Sequence, residues 1–109
     1  MTIESEISYF YSKSGPERGG LVSKTSGLIE LNNVSEKPDK EFSLSIEDQE
    51  KLSSPDIIGT FHTHPGGSSN LSYDDWLSFY SYPRLTHYIY GEQGLMTYKI
   101  QDGVLLNVD

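Results

Sequence analysis

The chain has 109 residues, with eight basic against 16 acidic side chains, a formal net charge of −8 and no cysteine. That length suits one domain able to bury roughly two-thirds of its unfolded surface. The acidity argues against binding to a nucleic-acid phosphate backbone. The absence of cysteine excludes a disulfide framework and confines any metal site to histidine and carboxylate ligands. The polar, acidic opening Met1-Thr2-Ile3-Glu4-Ser5-Glu6 resembles neither a signal peptide nor a membrane span, so a soluble cytoplasmic or particle-associated protein is expected.

Thr2 is placed to cap a first helix, with Glu4 and Glu6 in its first turn. Ile3, Ile7, Phe10, Tyr11 and Ser14 recur at helical spacing until Gly15-Pro16 ends it. Glu17 to Lys24 and Leu28 to Leu31, around Thr25-Ser26-Gly27, predict a hairpin. The polar stretch 32–40, holding Pro38, predicts a loop. Glu41-Phe42-Ser43-Leu44 alternates like a further strand, and Ser45 to Leu52 opens with a Ser-x-x-Asp cap and predicts a short helix. Behind Pro55, the apolar run Asp56 to Phe61 predicts a buried strand. Leu71 to Tyr82 predicts a helix stopped by Pro83, with Trp76, Phe79 and Tyr80 as its core stripe. Thr86 to Tyr90, Leu95 to Gln101 and Val104 to Val108 predict three strands, the last pair joined at Asp102-Gly103. The order α-β-β-β-α-β-α-β-β-β describes a mixed α/β sandwich around one sheet.

Chemistry concentrates between Phe61 and Asp75, which read Phe-His-Thr-His-Pro-Gly-Gly-Ser-Ser-Asn-Leu-Ser-Tyr-Asp-Asp. If the strand continues through His64, then His62 and His64 point to the same face. Two imidazoles at a strand end make half of a first-row metal site. An oxygen ligand from the helix that opens at Ser72 would give a His/His/Asp site with one position open, the arrangement catalytic zinc uses. Ser72-x-x-Asp75 also fits a capping box, and the two roles are compatible, because a helix start holds a ligand-bearing side chain well. Asp75 sits about 100° from Trp76 around the helix and Asp74 is rotated further, so at most one aspartate is well aimed. The third histidine, His87, has no ligand type beside it on its strand and reads as structural or surface-lying.

These residues resemble a known family. His62-x-His64-Pro65, ten intervening residues and then Asp75, with Ser72 three before it, resemble the JAMM signature of the JAB/MPN metallopeptidases. That signature also has a glutamate after the first helix and before a glycine-led strand, matched here by Glu17 in Gly15-Pro16-Glu17-Arg18-Gly19-Gly20-Leu21-Val22. The spacing of Asn33-x-Ser35, Pro38 and Phe42, followed by a short helix, is similar to the compact prokaryotic branch. That branch includes the JAB domains of lambda-like phage tail assembly proteins and bacterial enzymes acting on ubiquitin-like proteins. The chain departs from the pattern at Leu71, where proline is usual, and at Gly19, where cysteine is usual; neither is a ligand position.

The resemblance implies a JAB/MPN, cytidine-deaminase-like fold, a mixed β-sheet flanked by helices. It implies that His62, His64 and Asp75 hold Zn2+, that Glu17 is the general acid/base towards the attacking water, and that Ser72 hydrogen-bonds the oxyanion. The implied partner is a protein or peptide substrate, either a ubiquitin-like protein tail or a phage tail assembly protein, in the cytoplasm or in a virion tail. The alternative is a non-catalytic assembly module of a phage tail or other large complex that retains the metal site. Scaffolding relatives usually lose zinc ligands, whereas this chain keeps all three with the glutamate and the serine, which favours the hydrolase. A metal held for structure alone would leave Glu17 and Ser72 unexplained.

Overall fold

The computed structural model describes residues 2–108 and runs α1 (Ile3–Ser8), β1 (Gly19–Ser23), β2 (Gly27–Leu31), α2 (Ile46–Glu50), a 3-10 turn (Lys51–Ser53), β3 (Ile57–Thr63), α3 (Tyr73–Ser81), β4 (Thr86–Gly91), β5 (Gly94–Gln101) and β6 (Val104–Asn107). The strands form one mixed sheet in the order β2-β1-β3-β4-β5-β6. All neighbours are antiparallel except β3 and β4. A parallel pair needs a crossover, and α3 supplies it. Everything between the end of β3 and the start of α3 therefore lies at one end of the sheet. No helix among the described residues is long and apolar enough to cross a membrane.

A register shift opposite Val22 and Ser23 places one extra residue, Ile58, in β3 and reverses its alternation. Ile57 thereby packs with Leu21, Leu52 and Leu85. Phe61 packs on the opposite side with Val22 and with Ile7 of α1. A third cluster joins Phe79 of α3 to Ile89 and Tyr98. Arg84 ties the end of the crossover back to the start of β3, its guanidinium donating to the carbonyls of Ile57 (2.8 Å) and Leu52 (3.1 Å).

Three expectations from the sequence need correction. The first helix stops at Ser8, well before Gly15. Phe10 and Tyr11 tighten into turns on Ile7 and Ser8. Phe10 then packs on Phe61 under the Arg18 guanidinium, and Tyr11 packs on Tyr90. Residues 41–44 form no strand. Their main partner there is a side chain: Asn33 Oδ1 accepts from Ser43 N–H and Asn33 Nδ2 donates to the Glu41 carbonyl, while the backbone adds the Val34 N–H bond to the Ser43 carbonyl. The core stripe of α3 shrinks to Phe79, because Trp76 is 41% exposed. Tyr73 stacks on Trp76 and Tyr80 meets Trp76 edge-on, and the Tyr80 hydroxyl accepts from Leu105 N–H of β6 at 3.0 Å.

Gly91 ends β4 directly beneath the loop that follows β3. A Cβ there would lie 2.5 Å from Ser69 N and 2.6 Å from Gly67 O. Gly91→Ala is expected to lift that loop and destabilise the fold by about 1–3 kcal/mol, the cost of overpacking. Thermal unfolding checks this, and an unchanged midpoint would show that the loop does not rest on Gly91.

Candidate metal centre

The antiparallel register of β1 and β3 pairs Gly19 with His62. Carried outward by two residues, it brings Glu17 opposite His64. Arg18 and Thr63 confirm that extension: Thr63 N–H donates to the Arg18 carbonyl at 2.8 Å, and Arg18 N–H to Thr63 Oγ1 at 3.1 Å. Gly19 has a steric reason, since a Cβ there would lie 2.7 Å from His62 Cβ. β3 ends at Thr63, but His64 N–H still donates to the Tyr90 carbonyl, so the parallel pairing with β4 holds His64 in line.

His62 Nε2 and His64 Nε2 converge to 3.2 Å. Asp75, at the first turn of α3, sets Oδ1 3.0 Å from His62 Nε2 and Oδ2 3.1 Å from His64 Nε2. The Ser68 carbonyl accepts from His64 Nδ1 at 2.7 Å, which fixes the proton on that nitrogen and leaves Nε2 as a lone pair. With both rings neutral, a single N–H from His62 is the only hydrogen inside this group. His64 Nε2 then faces a carboxylate oxygen with nothing between them, so the arrangement calls for a cation, either a proton or a metal. Glu17, His62 and His64 each place one ligand atom within 4.8 Å of the others and can hold a metal ion. Imidazole nitrogen with carboxylate oxygen and no thiolate suits a borderline divalent metal.

The two carboxylates are pushed in opposite directions. Burial raises Glu17, and the nearby imidazoles of His62 and His64 only partly offset it. Burial would raise Asp75 too, but the electrostatic pull of His62, the contacts with His62 and His64, and the Ser72 N–H outweigh it and hold that carboxyl well below the usual range. Asp75 is thus held as an anion, whereas burial disfavours the anion of Glu17. Ser72 completes the capping box: its Oγ accepts from Asp75 N–H at 3.2 Å while its own N–H donates to Asp75 Oδ2 at 2.9 Å.

All five site residues expected from the sequence meet here. Glu17, His62, Ser72 and Asp75 line a cleft of about 390 Å3, which runs between residues 40–44 and α3. His64 joins them through its contacts with His62 and Asp75. Asp74 lines the cleft without a contact to either imidazole among the described residues. His87 is a buried core residue: its Nε2 donates to the Tyr82 carbonyl at 3.1 Å and its Nδ1 accepts from Thr60 Oγ1 at 2.7 Å. Burial lowers its pKa to about 4, so it stays neutral.

The supports of the site were not legible in the sequence. Gln93, in the turn after β4, accepts from Ser69 N–H at 3.0 Å, and the Tyr98 hydroxyl donates to the Ser69 carbonyl at 3.2 Å. These bonds fix the loop whose Ser68 carbonyl orients His64. Asn33 binds the Glu17 carbonyl (3.1 Å) and the Glu41 carbonyl (2.8 Å), so one amide joins the backbone of the acid to the wall of the cleft. In sequence, Gln93 is one polar residue in a Gly-flanked turn, and nothing local marks it. Compared with known proteins, the chain matches no family model and no curated protein.

Gln93→Ala is expected to weaken metal affinity by about 10-fold or more, as loss of an outer support of a ligand does. Calorimetric titration of the metal-free protein checks it, and unchanged affinity would mean that the loop holds itself. The metal-free protein should also show a site-specific pH dependence. Burial alone would lower His64, but the hydrogen bonds to Asp75 and Ser68 raise it overall. A raised folded value stabilises most below the unfolded pKa of about 6.5, and that contribution is lost as pH rises through the folded value. Thermal midpoints of parent and Asp75→Asn should therefore differ more at pH 6 than at pH 9, and an equal difference at both would contradict the assignment.

Proposed function

We propose that this chain is a zinc-dependent metallopeptidase or isopeptidase of JAB/MPN type. The observation that carries the reading is the pair of oppositely tuned carboxylates on either side of two convergent imidazoles. An anion bonded to both rings suits a ligand, and a buried acid with a raised pKa suits a proton carrier. The order of elements, with Glu17 leading the strand beside the histidine strand and Asp75 opening the crossover helix, is what that fold would require.

When bound by His62, His64 and Asp75, zinc would supply Lewis acidity to a water molecule and to the scissile carbonyl. Glu17 takes the proton of the attacking water and returns it to the leaving amine. Burial aids the first step, because it raises the pKa of the carboxylate above its ordinary value and makes it a stronger base. The Ser72 hydroxyl spends only an acceptor position on the helix cap, so its hydrogen remains for the developing oxyanion, a contact worth about 3 kcal/mol in comparable sites. The 40–44 segment and α3 form two banks that suit an extended protein chain, such as a ubiquitin-like tail or a phage tail protein.

Glu17→Gln keeps size and hydrogen bonding but removes the proton acceptor. The variant should bind one zinc per chain as the parent does and lose hydrolysis of peptide or ubiquitin-like conjugates by about 100-fold or more. Metal analysis with cleavage assays on both proteins tests this. Loss of zinc would make Glu17 a ligand, and cleavage at the parental rate would remove it from the proton transfers.

A further inference from the structure

We propose that the cleft extends past the metal centre into a side-chain pocket that takes one large apolar side chain of the substrate, aliphatic or aromatic. The pocket deepens the hydrolase reading, and its bearing on catalysis rests on that reading; its existence does not. Its walls are Leu44, Leu52, Phe79 and Tyr82, and Thr60 and His87 also line the same cleft. Leu52 and Phe79 are buried, but Leu44 and Tyr82 remain half-exposed, so apolar surface is left uncovered inside a concave site.

Ser43, Gln49, Ser78 and Ser81 bring polar groups to the same cleft, but the four walls named above offer a ligand none apart from the Tyr82 hydroxyl. Both ring nitrogens of His87 are engaged, by Thr60 Oγ1 and by the Tyr82 carbonyl, and its face is stacked on Phe79 at 4.1 Å between centroids. Among the described residues, no buried side-chain nitrogen or oxygen lacks a partner. A polar side chain set against these walls would lose water without replacement, whereas an apolar one would gain contact. The charges of the cleft point the same way: Glu17, Glu41, Asp74 and Asp75 stand against Lys40 alone, which disfavours an acidic side chain. A cleft of about 390 Å3 has room for the reacting group at the histidine end and one leucine- or phenylalanine-sized side chain beyond it.

The pocket can be tested without metal. N-acetyl-leucinamide and N-acetylglycinamide are titrated into the metal-free protein while methyl resonances of Leu44 and Leu52 are followed by NMR. The leucine amide should give saturable shifts at these methyls and bind at least tenfold more tightly than the glycine amide, since several apolar carbons are buried. Ser78 is exposed and lines the cleft, so Ser78→Phe should fill the pocket without touching the core, and Leu44→Asn should place an amide in its wall. Both variants should abolish the leucine-specific shifts and leave zinc affinity unchanged. Equal binding of the two amides, or leucine-specific shifts that survive both substitutions, would overturn the pocket. Failure of the hydrolase reading would look different: no zinc uptake or no cleavage, with the leucinamide result intact.

Discussion

Two imidazole nitrogens 3.2 Å apart, each about 3 Å from an oxygen of one carboxylate, make a group of electron-pair donors with too few hydrogens to separate them. Most histidine contacts in proteins escape this problem by a change of tautomer. Here His64 cannot, because the Ser68 carbonyl holds its Nδ1 proton. The arrangement is stable only with positive charge inside it, and the rest of the structure serves to keep those donors together.

That service comes from elements distant in sequence. The β1–β3 register delivers the acid, and the parallel β3–β4 pair forces a crossover whose first turn delivers the second carboxylate. The intervening loop is pinned from below by Gly91 and from the side by Gln93 and Tyr98. A metal site needs its ligands within a few tenths of an ångström, and side chains on strand ends and a capped helix start are better held than side chains on free loops. Burial then separates the two carboxylates chemically, since the one bonded to the imidazoles stays ionised and the other is destabilised as an anion.

Much of the architecture was legible because it rests on local signals. Pro55 with an apolar β-branched run marked β3, Asp102-Gly103 marked the last hairpin, and Ser72-x-x-Asp75 marked the cap of α3, although the helix expected from Leu71 begins at Tyr73. The choice of Asp75 over Asp74 followed from that same register, and it is Asp75 that contacts both imidazoles. Reading failed where tertiary contacts override periodicity. Phe10 and Tyr11 have helical spacing but are drawn off by Phe61 and Tyr90. Glu41 to Leu44 alternates, yet the Asn33 side chain occupies the place of a ladder partner. Trp76 carried the expectation of burial that its type suggests, but α3 covers the sheet with one side chain, Phe79. His87 read as structural or surface-lying, and the structure shows it buried with both its nitrogens engaged in the core.

The central proposal is that His62, His64 and Asp75 surround one metal ion while Glu17, although near enough to join them, stays outside its ligand shell. X-ray absorption at the zinc edge of the loaded protein tests it most directly. The account predicts two imidazole nitrogens and light oxygen ligands at about 2.0–2.1 Å, four in all, with a spectrum unaltered in Glu17→Gln and changed in Asp75→Asn. A shell without imidazole, or one that changes in Glu17→Gln and not in Asp75→Asn, would contradict it.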